Sequence, residues 1–237
     1  MNKAGLKPTL VQQTALDPSS PVSAYSIGIY TQQLGLALSA AQCERLERFA
    51  ALLLRWNRIH NLTAITRDED VLSHHLLDSL SLAAELAAVP ALRILDAGAG
   101  AGLPGIPLAV ALPGHQFTLI DAVAKKCAFI TQARVELGLT NVEIVHGRLE
   151  ALPRPQFDAR FDVIVSRALG SLATFVSLTR PLLAPGGRWI AMKGQLPEQE
   201  MEQLPPGVTV ARTVALQVPL LQQARHLIVL QSASPSH

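Results

Sequence analysis

The 237-residue chain has only two cysteines, Cys43 and Cys127, far apart and each within an apolar, helix-like stretch. That excludes a disulfide framework and any cysteine-based metal spacing, and leaves two buried free thiols in a reducing compartment. Aromatics are 4% of the chain, which argues against a platform that stacks successive bases of a single strand. A net charge of +2 is too small to grip nucleic acid by charge alone. No long apolar run is present. The stretch from Leu80 to Leu95 is interrupted by Glu85, Pro90 and Arg93, so it cannot cross a bilayer. The first residues, MNKAGLKPTLVQQTALDPSSP, lack the apolar segment of a signal peptide. His74 and His75 read as packing and surface positions rather than ligands, and no metal site is expected. A cytoplasmic protein without metal is expected. With 49% hydrophobic residues, a sizeable core is available without staples.

Residues 1–30 read as a flexible extension, rich in Pro, Ser, Thr and Gln over the first two dozen positions and without period. Residues 31–90 read as a helical cap. Ser39 and Gln42 form a capping box ahead of Leu46, Phe49, Ala50, Leu53 and Trp56 at helical spacing. Thr66 and Glu69 suggest a second box ahead of Val71, Leu72, His75, Leu76, Ser79, Leu80 and Ala83. Trp56 is expected in the core, with Asn57 and Asn61 bracing the helix–loop join.

From residue 91 to 237 short β-branched runs alternate with helical segments. Strands are expected at 93–97, 116–121, 142–145, 161–166 and 188–192, and helices at 103–112, 124–137 and 171–183. Gly138 serves as a helix stop and Pro185-Gly186-Gly187 as a turn. Such alternation gives an α/β fold with a mostly parallel, doubly wound sheet. Two final strands, 208–216 and 226–231, have no helix between them and suggest an antiparallel edge.

The chemistry concentrates where the first strand ends. Asp96 is followed by Gly98, Gly100, Gly102 and Gly105, four glycines within eight residues, at the carboxyl edge where open α/β sheets bind ligands. Gly100 to Gly105 literally fits G-x-G-x-x-G, and Asp121 ends the next strand sixteen residues on, so a dinucleotide-dependent oxidoreductase stays open. Three features favour S-adenosylmethionine. Asp96 would repel a pyrophosphate but suits a cation. Pro104 removes a backbone N–H from the helix start. No further domain supplies a hydride acceptor. Asp121 can accept both ribose hydroxyls or cap the following helix, roles that are compatible. A sensor that binds the same ligand without chemistry also stays open.

The segments LDAGAGAGLPGIPLA (95–109) and FTLIDAVAKKCAFI (117–130), with Val163–Leu169 and Met192-Lys193-Gly194-Gln195, resemble the RsmG (GidB) family of bacterial 16S rRNA guanine-N7 methyltransferases. So do Arg55-Trp56-Asn57, Asn61-Leu62-Thr63, His74 through Asp78-Ser79, Leu216-Gln217-Val218-Pro219 and Arg225-His226-Leu227, a likeness running from Leu34 to Leu230. Ala99 and Ala101 stand where other members often carry Thr or Ser and Pro; their small size keeps the loop's shape. The resemblance implies a Rossmann-like class I methyltransferase core behind a helical cap, and methyl transfer from S-adenosylmethionine, leaving S-adenosylhomocysteine. The implied target is N7 of guanine 527 in 16S rRNA, on the small ribosomal subunit. Carried over by position, it places cofactor contacts at Gly98, Leu103, Leu149, Glu150 and Arg167. Asp96, Gly100 and Asp121 join them by the loop argument above. Arg148, Arg167 and Lys193 each follow a strand at the same rim and are expected to grip phosphate and guanine as the catalytic group. A monomer is expected.

Overall fold

The computed structural model describes residues 22–233. Helix α1 is Ala24–Gln33, opened by a reciprocal capping box between Ser23 and Ser26. Helix α2 is Ala40–His60, opened by the expected Ser39–Gln42 box. Helix α3 covers 68–80 and is mostly π-helical, with the wide segment Val71–Leu77 between Asp68–Asp70 and Asp78–Leu80. Helix α4 is Ala83–Ala87. The remainder alternates: β1 (Arg93–Ala97), α5 (Gly105–Ala111), β2 (Gln116–Asp121), α6 (Ala124–Glu136), β3 (Val142–His146), α7 (Arg154–Phe157), β4 (Phe161–Arg167), α8 (Leu172–Thr179), β5 (Leu183–Lys193), α9 (Glu198–Glu202), β6 (Val208–Leu216) and β7 (Arg225–Ser232).

Several expectations change. Helix α1 begins inside the stretch read as a flexible extension and runs on into the cap: Ile27 and Thr31 are fully buried, and residues 1–21 lie outside the described residues. The predicted Thr66–Glu69 box is absent. Arg67 holds the cap position without a side-chain bond, and three acids in the first turn, Asp68, Glu69 and Asp70, meet the positive helix end instead. Pro185-Gly186-Gly187 does not separate elements but lies within β5 as a register break. A side chain at Gly187 would collide with the carbonyls of Ala184 and Asp162.

Strand order is β3-β2-β1-β4-β5-β7-β6. All neighbours pair parallel except at β7, which runs against both β5 and β6. Side-chain alternation splits the strands' apolar residues between two layers. Ile94, Val163, Val165, Ile190 and Val229 join α2, α3, α5 and α6 in one continuous core. Leu95, Ile164, Trp189, Ile228 and Leu230 face α7 and α8. Trp189 is fully buried and donates its indole N–H to Thr179 Oγ1 at 3.0 Å. The cap therefore shares a core with the sheet. Trp56 is only half-buried, set edge-on to Phe129 at 5.6 Å. No helix among the described residues is long and apolar enough to cross a membrane.

Parallel pairing collects the carboxyl ends of β1 to β5 along one edge, and the antiparallel β7 starts there, with Lys193 opposite His226. The order reverses between β1 and β4, which opens the crevice in which such sheets receive ligands. The cap reaches this edge through the α2–α3 loop. Asn61 ends α2 in the left-handed region, and Lys125 from α6 donates to the His60 carbonyl at 2.7 Å. The buried Asn57 accepts the Thr63 N–H at 2.9 Å and donates to the Ile65 carbonyl at 3.1 Å. Asn57→Ala leaves two inward backbone groups without partners. Thermal and urea unfolding should register a loss of about 2–4 kcal/mol; a loss under 0.5 kcal/mol would show that the loop does not lean on this amide.

Candidate active site

Asp96 is the next-to-last residue of β1 and has none of its surface exposed. Its Oδ2 accepts the Gly105 N–H at 2.8 Å, and its Oδ1 has no hydrogen-bond partner among the described residues. Burial raises its pKa to about 7, against the opposing pull of the Gly105 N–H and the Arg167 charge. Position 105 must be glycine for this contact. A Cβ there would stand 2.7 Å from Asp96 Oδ2 and 2.8 Å from Leu119 Cγ.

The loop between them turns through left-handed backbone at Gly98 and Gly100. Gly98 and Ala99 both donate to the Ile120 carbonyl at 2.9 Å. Gly100 donates to Asp121 Oδ2 at 2.9 Å, and Val123 donates to Asp121 Oδ1 at 2.8 Å. Asp121 thus braces the glycine loop and the entry to α6 at once. A carboxylate offers about four acceptor positions, so two more remain. Leu103 is buried under the loop and Leu149 opens a 3-10 turn after β3, also buried; Glu150 beside it is exposed. The side chain of Leu169, from the loop after β4, lies across the face of Gly98, where a Cβ would meet its Cδ1 at 2.8 Å.

The three predicted cations do not share one contact. Arg148 follows β3 at the sheet edge, exposed, and its side chain has no hydrogen bond or ion pair among the described residues. Two strands, β2 and β1, stand between it and β4, which at about 4.8 Å per step puts roughly 14 Å of rim between Arg148 and Arg167. Lys193, one strand beyond, is already paired: its ammonium donates to Glu200 Oε2 at 2.8 Å, Oε1 at 3.1 Å and the Gly170 carbonyl at 3.0 Å. Arg167 turns toward the cap, donating to the His74 carbonyl at 2.9 Å and to Asp78 Oδ2 at 3.2 Å.

Sequence reasoning named Asp78 and Arg225 only within segments resembling the family and gave neither a role, and it read His75 only as a packing or surface position. His75 is buried against Thr63 Oγ1 at 2.9 Å; desolvation first, and the Arg167 charge second, push its pKa down to about 4, so it is neutral at pH 7. Arg225 opens β7 and donates to Asp78 Oδ1 at 2.9 Å. The available signal was a lone acid inside an apolar helix and a lone arginine ahead of an apolar strand. Among the described residues, no group of three or more His, Cys, Asp or Glu could hold a metal ion.

The family model described as rRNA small subunit methyltransferase G matches residues 42–228. A ribosomal RNA small subunit methyltransferase G from Laribacter hongkongensis is 50% identical over 198 residues, 84% of this chain and 93% of its own. One from Burkholderia pseudomallei is 50% identical over 202 residues, 84% of this chain and 87% of its own. Among solved structures, the magnesium protoporphyrin IX methyltransferase ChlM from Synechocystis PCC 6803 with bound SAM superposes with a TM-score of 0.56 at 21% identity, over 75% of this chain and 90% of that one. TrmN from Thermus thermophilus gives 0.53 at 22% identity, over 65% and 48%. These two likenesses establish the class I methyltransferase fold.

The raised pKa of Asp96 has a consequence for stability. An unfolded aspartate titrates near 3.8 and the folded one near 7. Between those values the folded chain holds a proton that the unfolded chain has released, so stability falls as pH rises through that window. Asp96→Asn keeps an acceptor for Gly105 and removes this titration. Its melting temperature relative to wild type should therefore climb by roughly 5–10 °C from pH 5 to pH 7.5. A difference that stays constant, or falls, would mean that Asp96 is ionised throughout.

Proposed function

The chain belongs to the rRNA small subunit methyltransferase G family, and from that premise we propose that it transfers a methyl group from S-adenosylmethionine to N7 of a guanine, guanine 527 of 16S rRNA, as a cytoplasmic monomer acting on the small ribosomal subunit. The observation that carries the choice of ligand is the use of the loop's amides. Gly105 and Gly100, whose N–H groups a pyrophosphate would need, donate instead to Asp96 and Asp121, and Pro104 has no N–H. Two carboxylates line the loop where a dinucleotide would bring like charge. A cationic ligand suits the same place, and the unpartnered Asp96 Oδ1 is an acceptor left for it. This weighs against the oxidoreductase reading.

When bound, S-adenosylmethionine supplies an electrophilic methyl group on a sulfonium. Asp96 would offset the ligand's positive charge, and Asp121 would take the ribose hydroxyls on its two remaining acceptor positions. Gly100 leaves its part of the loop face open, while at Gly98 the missing side chain makes room for Leu169. Leu103 and Leu149 would wall the adenine, with Glu150 accepting from its exocyclic amine. Arg167 stands at the junction of this site and the cap. Arg148, exposed and uncommitted, is suited to a phosphate of the RNA. Lys193 would act through its pairing with Glu200, holding the ends of β5 and α8 in register, since Glu200 also accepts the Leu172 N–H at 2.7 Å.

Guanine N7 carries a lone pair and no proton at neutral pH, so the reaction requires no general base. In keeping with that, His75, which lies against Arg167, is neutral and enclosed. Rate would come from alignment of N7 with the methyl group. The base must also be unstacked to reach it.

Incubation of the protein with small subunits and methyl-labelled S-adenosylmethionine, followed by nucleoside mass analysis, should yield 7-methylguanosine. RNA with 7-deazaguanine at the target should accept none. Label on another atom or on the deaza substrate would refute the N7 assignment, and ligand binding without transfer would favour the sensor reading.

A further inference from the structure

We propose that Asp78 is a positioning residue for methyl transfer: it locks Arg167 and Arg225 into one fixed pair that grips a phosphate beside the target nucleotide. The proposal rests on the methyltransferase reading above.

Asp78 belongs to the cap, in the last turn of α3, and its carboxylate is only 5% exposed. One oxygen, Oδ2, takes Arg167 Nη1 at 3.2 Å; the other, Oδ1, takes Arg225 Nε at 2.9 Å. These arginines come from the end of β4 and the start of β7, which flank β5 in the sheet. A single carboxylate therefore bridges two strands that are not neighbours, across the rim where Lys193 ends. Each guanidinium has a second anchor. Arg167 Nη1 also donates to the His74 carbonyl in the π-helical turn at 2.9 Å, and Arg225 Nη1 donates to the Ala224 carbonyl at 2.9 Å.

Stability alone does not account for this triad. Desolvation offsets most of what a buried ion pair gains, and apolar residues of similar volume would hold the cap to the sheet at least as well. The arrangement also leaves a surplus. Two guanidiniums against one carboxylate give the triad itself a charge of +1, and the neutral His75 beside it adds nothing. Donors remain as well: Arg167 Nε is in no hydrogen bond among the described residues, and Arg225 Nη2 has only a 3.5 Å contact to Gln223 Oε1. Forked donors fixed in plane, with net positive charge, suit a phosphate.

Restraint matters here because of the product. N7-methylguanine is cationic, so a guanidinium free to swing against the ring would oppose the reaction. Held by Asp78, the pair can bind the phosphate without approaching the ring. Loss of the restraint should affect the transition state more than the docking of a large RNA, which rests on many other contacts.

The test begins with wild-type turnover on small subunits. If wild type transfers no methyl group, the methyltransferase reading fails, whatever Asp78 does. With wild type active, Asp78→Asn should lower kcat about 10- to 100-fold, with KM for small subunits within about threefold. Arg225→Gln should do the same. The double variant should be no slower than the worse single variant, within about threefold, because both act through one unit. A kcat for Asp78→Asn within threefold of wild type, a loss confined to KM, or losses that multiply in the double variant would overturn the proposal. If Asp78→Asn shows no cooperative melting, Arg225→Gln decides: a loss in kcat at unchanged KM supports the pairing, and wild-type kcat overturns it.

Discussion

A carboxylate with no exposed surface, held by one backbone amide, sets the terms for the rest of the site. Asp96 could not be buried at the end of β1 without the Gly105 N–H, and that N–H could not reach it if residue 105 carried a Cβ. The start of α5 is fixed by that contact. So is the course of the glycine loop, which is strung between Gly105 at one end and the Ile120 carbonyl at the other. Asp121 repeats the device one strand over, taking Gly100 and Val123. The loop's amides, which in another protein would attract an anion, are taken by the carboxylates of Asp96 and Asp121 and by backbone carbonyls, and the crevice is left suited to a cation. The cost is borne at Asp96, whose ionisation is opposed by burial until near neutral pH.

Positive charge is handled with similar economy on the other half of the rim. The chain's net charge is small, yet β4, β5 and β7 each bring a cation to the same edge, and each cation has an acid from a neighbouring helix: Asp78 for Arg167 and Arg225, Glu200 for Lys193. Fixed charge at a crevice counts for more than scattered charge on the surface, because low-dielectric walls concentrate the field. Coulombic reach then links the two halves. Arg167 lowers the pKa of Asp96 while itself anchored to the cap, so the cap's position bears on the electrostatics of the glycine loop.

The strands, the glycine loop and both acids were legible in the sequence because each leaves a local mark: β-branched runs, glycines where side chains cannot fit, an acid where a strand ends. The Ser39 cap and the Asn57 brace were legible for the same reason. Helix α1 was not, because its sequence, AYSIGIYTQQ, is poor in strong helix formers and owes its shape to packing on α2. The π-helical turn was not, because its apolar spacing resembles that of an ordinary helix. The rim cations were legible singly, but not their spacing along the rim or their partners. Strand order separates Arg148 from Arg167, and no local pattern announces strand order. The partners of Asp78 lie 89 and 147 residues away, a juxtaposition that only the folded sheet creates.

The central claim is that Asp96 must be ionised to receive a cationic ligand. Calorimetric titration with S-adenosylmethionine between pH 5.5 and 7 tests it, a range in which the ligand's own ammonium stays protonated. Affinity of the wild-type protein should rise about tenfold across that range, as the fraction of ionised Asp96 grows. Asp96→Asn should bind more weakly, with little change over the same range. A flat wild-type profile, or an Asn variant that binds as tightly as wild type, would contradict the claim.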